Sequence, residues 1–160
     1  MIKVYIEKTR EDVKIPAYAN IGDAGMDIYA AEEVVIPMNS TRIVPTGLKV
    51  AIPEGYEIQV RPRSGLSANT RLRISNAPGT IDPGYRGEIG IIVYNCSSVY
   101  EGNFYITEKS NCQGTYHIRK GDRIAQIILT QFSEMEFESV DSVAKIGNDR
   151  GGGFGSTGVK

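Results

Sequence analysis

The chain has 160 residues, 41% of them hydrophobic and 23% charged, which fits one globular domain with a real core and makes two domains unexpected. No run approaches the ~20 consecutive apolar residues of a membrane span, and residues 1–22 lack the basic start and apolar run of a signal peptide, so we expect a cytoplasmic protein without a membrane partner. The formal net charge of −1 argues against broad electrostatic binding of nucleic acid.

The apolar residues are mostly β-branched, with 20 Ile and 12 Val against four Leu. Side chains that are stiff at χ1 suit strands better than helices, so the composition indicates an all-β fold. Many short strands between turn residues predict a sandwich or a jelly roll. In chain order, the predicted strands are Lys3–Ile6, Thr41–Ile52, Tyr56–Arg61, Glu88–Tyr94, Thr115–Arg119 and Arg123–Leu129.

One short helix and one terminal arm interrupt this pattern. The helix is predicted over Ser64–Leu72, because Leu66 and Leu72 fall on one face and Ser64 can cap the first turn. Residues 147–160 contain six glycines and little that could pack. We therefore expect a barrel domain of residues 1–146 followed by a flexible Gly-rich arm.

An anion site is indicated between residues 58 and 81, where four arginines and no acid occur. Within it, PRSGLS (residues 62–67) places Ser64 and Gly65 at the start of the predicted helix, where unpaired N–H groups attract phosphate oxygens. Arg63 would add a guanidinium fork. The alternative is a solvated basic loop with an ordinary serine cap. The four arginines are Arg61, Arg63, Arg71 and Arg73.

Two acids are framed by glycines. AGMDIYA (residues 24–30) places Asp27 in a strand-like run, and GTIDPGYRGEI (residues 79–89) places Asp82 at the tip of a hairpin. Carboxylates beside a polyphosphate site could hold Mg²⁺ or orient a water for attack on phosphorus, although an aspartate in a turn is usually only an Asx turn. Tyr85 could offer its face to a sugar or base, or simply pack on its neighbours.

The segment RGGGFGSTG, residues 150–158, offers backbone N–H groups to phosphates beside Arg150 and Thr157. It lacks the lysine and the following helix of a Walker P-loop. A disordered Gly-rich tail is the alternative. The remaining polar chemistry is limited, because Cys96, Cys112 and the single His117 cannot supply a four-ligand zinc site, and a cytosolic redox environment disfavours pairing of the cysteines.

Five segments in chain order resemble the motifs of the trimeric dUTP pyrophosphatases, or dUTPases: residues 24–30, 62–67, 79–89, 121–126 (GDRIAQ) and 150–158. The resemblance implies a homotrimer of jelly-roll-like β-barrels of the β-clip type, in which motifs of all three subunits form each active site. It also implies hydrolysis of dUTP to dUMP and pyrophosphate, which limits uracil in DNA and supplies dUMP for dTMP synthesis. Mg²⁺ would be held mainly by the substrate phosphates.

The same resemblance assigns catalytic roles to three side chains. Asp27 would orient the substrate and reach Mg²⁺ indirectly through water, and Gln126 would join the phosphate and water network. Asp82 would hold and activate the attacking water. Tyr85 would pack under the deoxyribose, where a 2′-hydroxyl would clash.

The resemblance also distributes substrate binding among the motifs. The triphosphate would be bound by Arg63, Ser64 and Gly65. The hairpin from Asn76 to Gly90 would receive uracil, with Asn76 and the backbone of Thr80 and Ile81 reading its polar edge. The arm would close over the nucleotide, with Phe154 on the uracil. The arm residues assigned to the substrate are Arg150, Phe154, Gly155, Ser156 and Thr157.

Two features depart from the family pattern. Residues 96–119 make the link between the third and fourth motifs longer than usual, which implies an inserted surface hairpin or loop, or a surface for a protein partner. Arg150 stands four residues before Phe154 where the family usually has five, so the γ-phosphate role that the resemblance implies for Arg150 would be filled from a shorter spacing. The alternatives are a dCTP deaminase-like enzyme, which would need a glutamate just after the hairpin where the chain has Gly90 and Ile91, and a dUTP-sensing regulator acting through the insertion.

Overall fold

The computed structural model describes residues 1–108, 111–149 and 151–152. Within these residues the regular structure is almost entirely extended, which confirms the all-β prediction with one short helix. The helix α1 spans Ser64–Asn69, and a 3₁₀ turn follows much later at Val143–Lys145. The strands are β1 Tyr5–Lys8, β2 Met26–Tyr29, β3 Val34–Ile36, β4 Ser40–Pro45, β5 Leu48–Ala51, β6 Tyr56–Arg61, β7 Leu72–Ile74, β8 Gly79–Ile81, β9 Gly90–Asn95, β10 Asn103–Tyr105, β11 Thr115–Ile118 and β12 Arg123–Gln131.

The described strands form four sheets around one apolar core. Their orders are β1-β5, β10-β11-β3, β2-β12-β6-β8 and β4-β9-β7. Because successive side chains of a strand point to opposite faces, the β-branched residues at alternate positions fill the interior. The side chains with no solvent exposure include Ile28, Ile36, Val44, Ile91, Ile118 and Ile124.

The four-stranded sheet positions much of the site. Asp27 of β2 lies opposite Gln126 of β12, and Gln126 lies opposite Arg61 of β6. Residues directly opposite in an antiparallel pair project to the same face. The register therefore aligns an acid, an amide and a guanidinium in one row, while Ile28 and Ile127 face the core.

The strand predicted over Thr41–Ile52 is two strands in the structure. β4 ends at Pro45 and β5 begins at Leu48, because Gly47 has a φ of +68°. A Cβ at Gly47 would also lie 2.5 Å from Cγ1 of Val13, so both the backbone conformation and the packing require glycine. The first predicted strand is also shifted, because β1 covers Tyr5–Lys8 rather than Lys3–Ile6.

The predicted helix is too long by three residues. Thr70 is extended, and its hydroxyl donates to the carbonyl oxygen of Leu66 at 2.7 Å, which ends α1. Leu72 belongs to β7 and is only 1% exposed, so its apolar character serves the sheet core. The predicted cap is also wrong, because Arg63 holds the N-cap position without a side-chain cap and Ser64 is the first helical residue.

The predicted hairpin from Asn76 to Gly90 is a connection between two sheets. β8 pairs with β6, whereas β9 pairs with β4 and β7. The loop between them turns where the Tyr85 N–H donates to the Asp82 carbonyl oxygen at 3.1 Å. Asp82 is therefore at a turn, as predicted, but the turn does not join paired strands.

The 96–119 insertion is not a surface hairpin. β10 and β11 run parallel, and β11 continues into an antiparallel pair with β3. Tyr116 of β11 is 1% exposed; its hydroxyl donates to the Cys112 carbonyl oxygen and accepts from the Arg71 N–H, and burial raises its pKa above the ordinary value. Part of the insertion thus belongs to the barrel wall.

The chain leaves the barrel after β12. The Phe132 N–H donates to the Gly55 carbonyl oxygen at 3.1 Å, and residues 133–149 are exposed throughout. No helix in the described part of the chain is long and apolar enough to cross a membrane.

Candidate active site

A cavity of about 140 Å³ opens beside β8 and the first residue of β9. Its wall combines backbone groups, a carboxamide and a carboxylate with the apolar side chains of Val60, Ile89 and Ile92. Such a mixture suits a small planar ligand with a polar edge. The predicted site residues that line it are Asn76, Thr80, Ile81, Asp82, Tyr85 and Gly90.

Tyr85 is held in place by its own loop. Its hydroxyl donates to the Glu88 carbonyl oxygen at 2.9 Å, and its ring lies against Gly87, where a Cβ would collide with the phenol. The side chain remains 44% exposed at the cavity. The loop therefore presents a fixed aromatic surface to any ligand in the cavity.

Gly90 has a structural neighbour that the sequence did not indicate. A Cβ at Gly90 would lie 2.6 Å from Cγ2 of Ile43, which projects from the adjacent strand β4. The absence of a side chain at this position therefore makes room for Ile43 as well as opening the cavity wall. Gly79 has a similar relation to Asn76, whose Nδ2 would lie 3.0 Å from an added Cβ.

Asp82 is the acid of this cavity. It follows β8 directly and its side chain is exposed. Within the residues that the structure covers, no hydrogen bond or ion pair engages its carboxylate. Both oxygens can therefore accept hydrogen bonds from water or ligand.

A second group of predicted residues meets around Asp27. Nε of Arg63 lies 2.8 Å from Oδ1, and Nη1 of Arg123 lies 3.3 Å from Oδ2. The carboxylate is 20% exposed and the Arg63 side chain 23%, so this pair is partly shielded from solvent. Two guanidinium groups on one carboxylate leave a local excess of positive charge, which favours an anion.

Two adjoining grooves surround this ion cluster. Asp27, Arg123 and Gln126 border the first, and Arg63, Gly65 and Arg123 border the second. Ser64 is exposed next to Gly65 at the start of α1. The structure therefore brings Arg63, Ser64 and Gly65 of the predicted phosphate residues close to Asp27 and Gln126.

Sequence reasoning missed three residues of these grooves. Arg123 lies within the motif GDRIAQ, so the sequence could have indicated it as a site residue. Lys14 and Tyr29 also border both grooves, and Tyr29 lies opposite Arg123 in the β2–β12 register. The sequence carries no local signal for Lys14, which is separated from Asp27 by a loop.

The structure does not unite the two groups of predicted residues. Among the described residues, the cavity at Asp82 and the grooves at Asp27 have no lining residue in common. One chain therefore presents two partial sites. Arg150, Phe154, Gly155, Ser156 and Thr157 lie outside the described residues.

The side chains of the described residues do not form a metal centre by themselves. In the described ranges, no three His, Cys, Asp or Glu side chains gather as a metal-binding group. Asp27 has a guanidinium at each oxygen, so direct coordination by its carboxylate would disturb two ion pairs. Any magnesium here would need most of its ligands from the bound phosphates and water.

Comparison with known proteins gives consistent matches. A family model described as dUTPase matches residues 11–109 and 96–158. The deoxyuridine 5′-triphosphate nucleotidohydrolase of Solibacter usitatus is 41% identical over 160 residues, covering 98% of this chain and 97% of that protein. The protein of the same name from Clostridioides difficile is 39% identical over 159 residues and covers 99% of both chains.

Solved structures agree with the sequence matches. A mutant dUTPase of Staphylococcus bacteriophage 80alpha with dUpNHpp has a TM-score of 0.86 and 31% identity, covering 98% of this chain and 99% of that chain. A mutant dUTPase from phage phi11 of S. aureus, described with a structural Mg(II) ion, has a TM-score of 0.78 and 32% identity, covering 88% of this chain and 97% of that chain. These matches confirm the jelly-roll-like β fold.

Proposed function

The chain belongs to the dUTPase family, and on this premise we propose that it hydrolyses dUTP to dUMP and pyrophosphate. The oxygen of a water molecule forms a bond to the α-phosphorus while the bond from that phosphorus to the bridging oxygen of the β-phosphate breaks. Pyrophosphate leaves with the bridging oxygen. The observation that carries the proposal is the single cavity that gathers Asn76, Asp82 and Tyr85.

The nucleoside half of the site is proposed to lie in that cavity. Asn76 and the backbone of Thr80 and Ile81 hydrogen-bond the polar edge of uracil, and Gly90 leaves room for the ring. The fixed Tyr85 ring packs under the deoxyribose, where a 2′-hydroxyl would collide with it.

Asp82 is proposed to orient the attacking water and to accept its proton as the new bond forms. Its exposed carboxylate, without a protein partner in the described residues, supports this role. The transition state of phosphoryl transfer needs positioning and charge stabilisation more than covalent chemistry. Gln126, in register with Asp27, would contribute to the same water and phosphate network.

The phosphate half of the site is proposed at the grooves around Asp27. Arg63 supplies a guanidinium, and Ser64 and Gly65 supply donors at the start of α1. Asp27 orients Arg63 through the 2.8 Å ion pair. The arm residues Arg150, Phe154, Gly155, Ser156 and Thr157 are proposed to close over the nucleotide, with Phe154 stacked on uracil.

A homotrimer is proposed because each chain presents two partial sites. The cavity at Asp82 would face the grooves at Asp27 of a neighbouring copy, so that motifs from all three subunits form one site. The 96–119 insertion is the proposed surface for any protein partner, since Val99 and Tyr100 are 53% and 58% exposed. We propose the cytoplasm as the compartment, without a membrane or direct nucleic-acid partner.

Mg²⁺ is the proposed cofactor, held mainly by the substrate phosphates. When bound, it would neutralise phosphate charge and favour the departure of pyrophosphate. Asp27 would reach it through water, which preserves the contacts of its carboxylate with Arg63 and Arg123.

The deciding experiment measures products from dUTP and from dCTP with the full-length protein. Release of pyrophosphate and dUMP from dUTP is the expected result, whereas ammonia from dCTP would indicate deaminase chemistry and the absence of both would indicate a regulator. Excess chelator should abolish turnover, and added Mg²⁺ should restore it. Light scattering on the same sample should give the mass of three chains.

A further inference from the structure

Lys14 lies on the loop between β1 and β2, beside the site rather than within any of the motifs. Its Nζ stands 4.4 Å from the centroid of the Tyr29 ring. Tyr29 is half-buried in β2, two residues after Asp27, so both side chains are on one face of the strand. The aromatic ring thus fixes a flexible side chain next to the ion cluster.

Unlike the neighbouring basic side chains, Lys14 has no acidic partner among the described residues. Arg63 and Arg123 share the Asp27 carboxylate, and Lys120 pairs with Asp12. Over the ranges 1–108, 111–149 and 151–152, Lys14 takes part in no ion pair or hydrogen bond. A cation–π contact orients an ammonium group without neutralising its charge, so the charge remains available to an anion.

The other acids of the two grooves are already engaged. Oδ2 of Asp23 accepts hydrogen bonds from the backbone N–H and the carboxamide of Asn20, at 2.8 and 3.2 Å. Oδ2 of Asp122 accepts the backbone N–H of Arg119 at 2.8 Å. Neither carboxylate lies within ion-pair distance of Lys14 in the described residues.

Lys14 also borders both grooves at once. It lines the groove with Asp27 and Gln126, and it lines the groove with Arg63 and Gly65. An extended polyanion that contacts Arg63 would therefore lie within the field of Lys14, because screening is weak over distances shorter than the ~8 Å Debye length.

We propose that Lys14 is a substrate-binding residue for the polyphosphate part of the nucleotide, and that Tyr29 is its positioning residue. This assignment rests on the proposed function. The positive charge of Lys14 increases the affinity for the polyphosphate, whereas the ring of Tyr29 acts only by holding the ammonium group beside the grooves.

The test compares Lys14→Gln with Lys49→Gln in full-length protein. Lys49 pairs with Glu7 at 3.7 Å on the β1–β5 sheet, so its substitution removes the same charge away from the grooves. We expect Lys14→Gln to raise the KM for dUTP about tenfold, the lower scale for losing a hydrogen bond to a charged group. The value of kcat should stay within about twofold. Equal KM values for the two variants, or a loss confined to kcat, would overturn the proposal.

Two substitutions of Tyr29 test the positioning role. Tyr29→Phe keeps the aromatic face and should keep the native KM, whereas Tyr29→Leu should raise KM as Lys14→Gln does. A Tyr29→Leu protein with native melting temperature and native KM would show that the ring does not position Lys14.

A binding measurement separates this inference from the proposed function. Calorimetry with inorganic triphosphate should show weaker binding to Lys14→Gln than to the native protein and to Lys49→Gln. If the native protein does not hydrolyse dUTP, the proposed function fails, but the triphosphate comparison still decides the role of Lys14. Identical triphosphate affinities would reject that role.

Discussion

Nε of Arg63 lies 2.8 Å from Oδ1 of Asp27, although the two residues are 36 positions apart in the chain. The contact joins the segment before α1 to strand β2. It holds the guanidinium beside Asp27, and Nη1 of Arg63 also donates to the Arg123 carbonyl oxygen at 3.5 Å. An arginine side chain that is already held in one orientation loses little conformational entropy when it binds a phosphate.

The first prediction follows from this geometry. Arg63→Lys keeps the charge but cannot bond Asp27 and a phosphate through one planar fork, so the KM for dUTP should rise about tenfold or more. Steady-state kinetics will measure the KM of the variant. Arg42→Lys is the control, because Arg42 is exposed on β4 and, among the described residues, its side chain donates only to the Thr41 carbonyl oxygen. Equal KM values in both variants would contradict the phosphate role of Arg63.

The second prediction concerns Asp82. Asp82→Asn keeps the shape of the side chain but removes the negative acceptor, so turnover should fall by about 10²-fold or more while the KM stays near native. Asp141→Asn, at an exposed acid beyond the barrel, should leave turnover unchanged. Full activity in Asp82→Asn would make Asp82 only a turn residue.

The third prediction concerns discrimination against ribonucleotides. Tyr85→Ala removes the ring that would meet a 2′-hydroxyl, so the ratio of kcat/KM for dUTP over UTP should fall. Tyr85→Phe loses the 2.9 Å hydrogen bond to Glu88 but keeps the ring, so its ratio should stay close to native. A native ratio in a folded Tyr85→Ala protein would mean that the sugar is recognised elsewhere.

The fourth prediction tests the packing of Gly90 against Ile43. Gly90→Ala places a Cβ 2.6 Å from Cγ2 of Ile43, and displacing the Ile43 side chain from its rotamer costs about 0.5 to 1.5 kcal/mol of unfolding free energy. Ile43→Ala alone should cost little, because the Ile43 side chain is 65% exposed. The double variant should recover most of the loss, which denaturant unfolding will measure as a coupling energy. Additive effects would contradict the contact.

The fifth prediction concerns residues 147–160. No described residue of this segment contributes to the core, so deletion should leave the melting temperature and the proposed trimer nearly intact. Turnover should collapse, because the proposed closure excludes water and fixes the phosphates. Phe154→Ala should reproduce part of that loss, and Arg150→Ala should reduce activity less than the deletion does. Native turnover in the truncated protein would show that the segment has no role in catalysis.

Several features could be predicted from the sequence because they depend on local chemistry. The alternation of Ile58 and Val60 with polar residues predicts β6, and the glycine-framed segments place Asp27 within a strand and Asp82 at a turn, as the structure has them. The five motif segments also contain most of the residues that meet in the two partial sites. Spacing of residue types along a few positions suffices for such features.

Other features depended on contacts between distant parts of the chain. The break after Pro45 depends on the packing of Val13 against Gly47. The helix α1 ends because Thr70 is extended and Leu72 packs into the sheet core. The parallel pairing of β10 with β11 replaces the expected hairpin. Sequence patterns report which face of an element is apolar, but they do not state which distant element covers it.

The composition and the ordered segments by themselves determined the all-β class and the family of this protein, and they predicted an anion site around Arg63. Only the tertiary structure decided that Asp27 pairs with Gln126 across two strands, that Ile43 packs closely against Gly90, and that the Lys14 ammonium group lies over the Tyr29 ring. The physical reason is that strand register and loop packing are settled by long-range side-chain contacts, whose energies no local pattern contains.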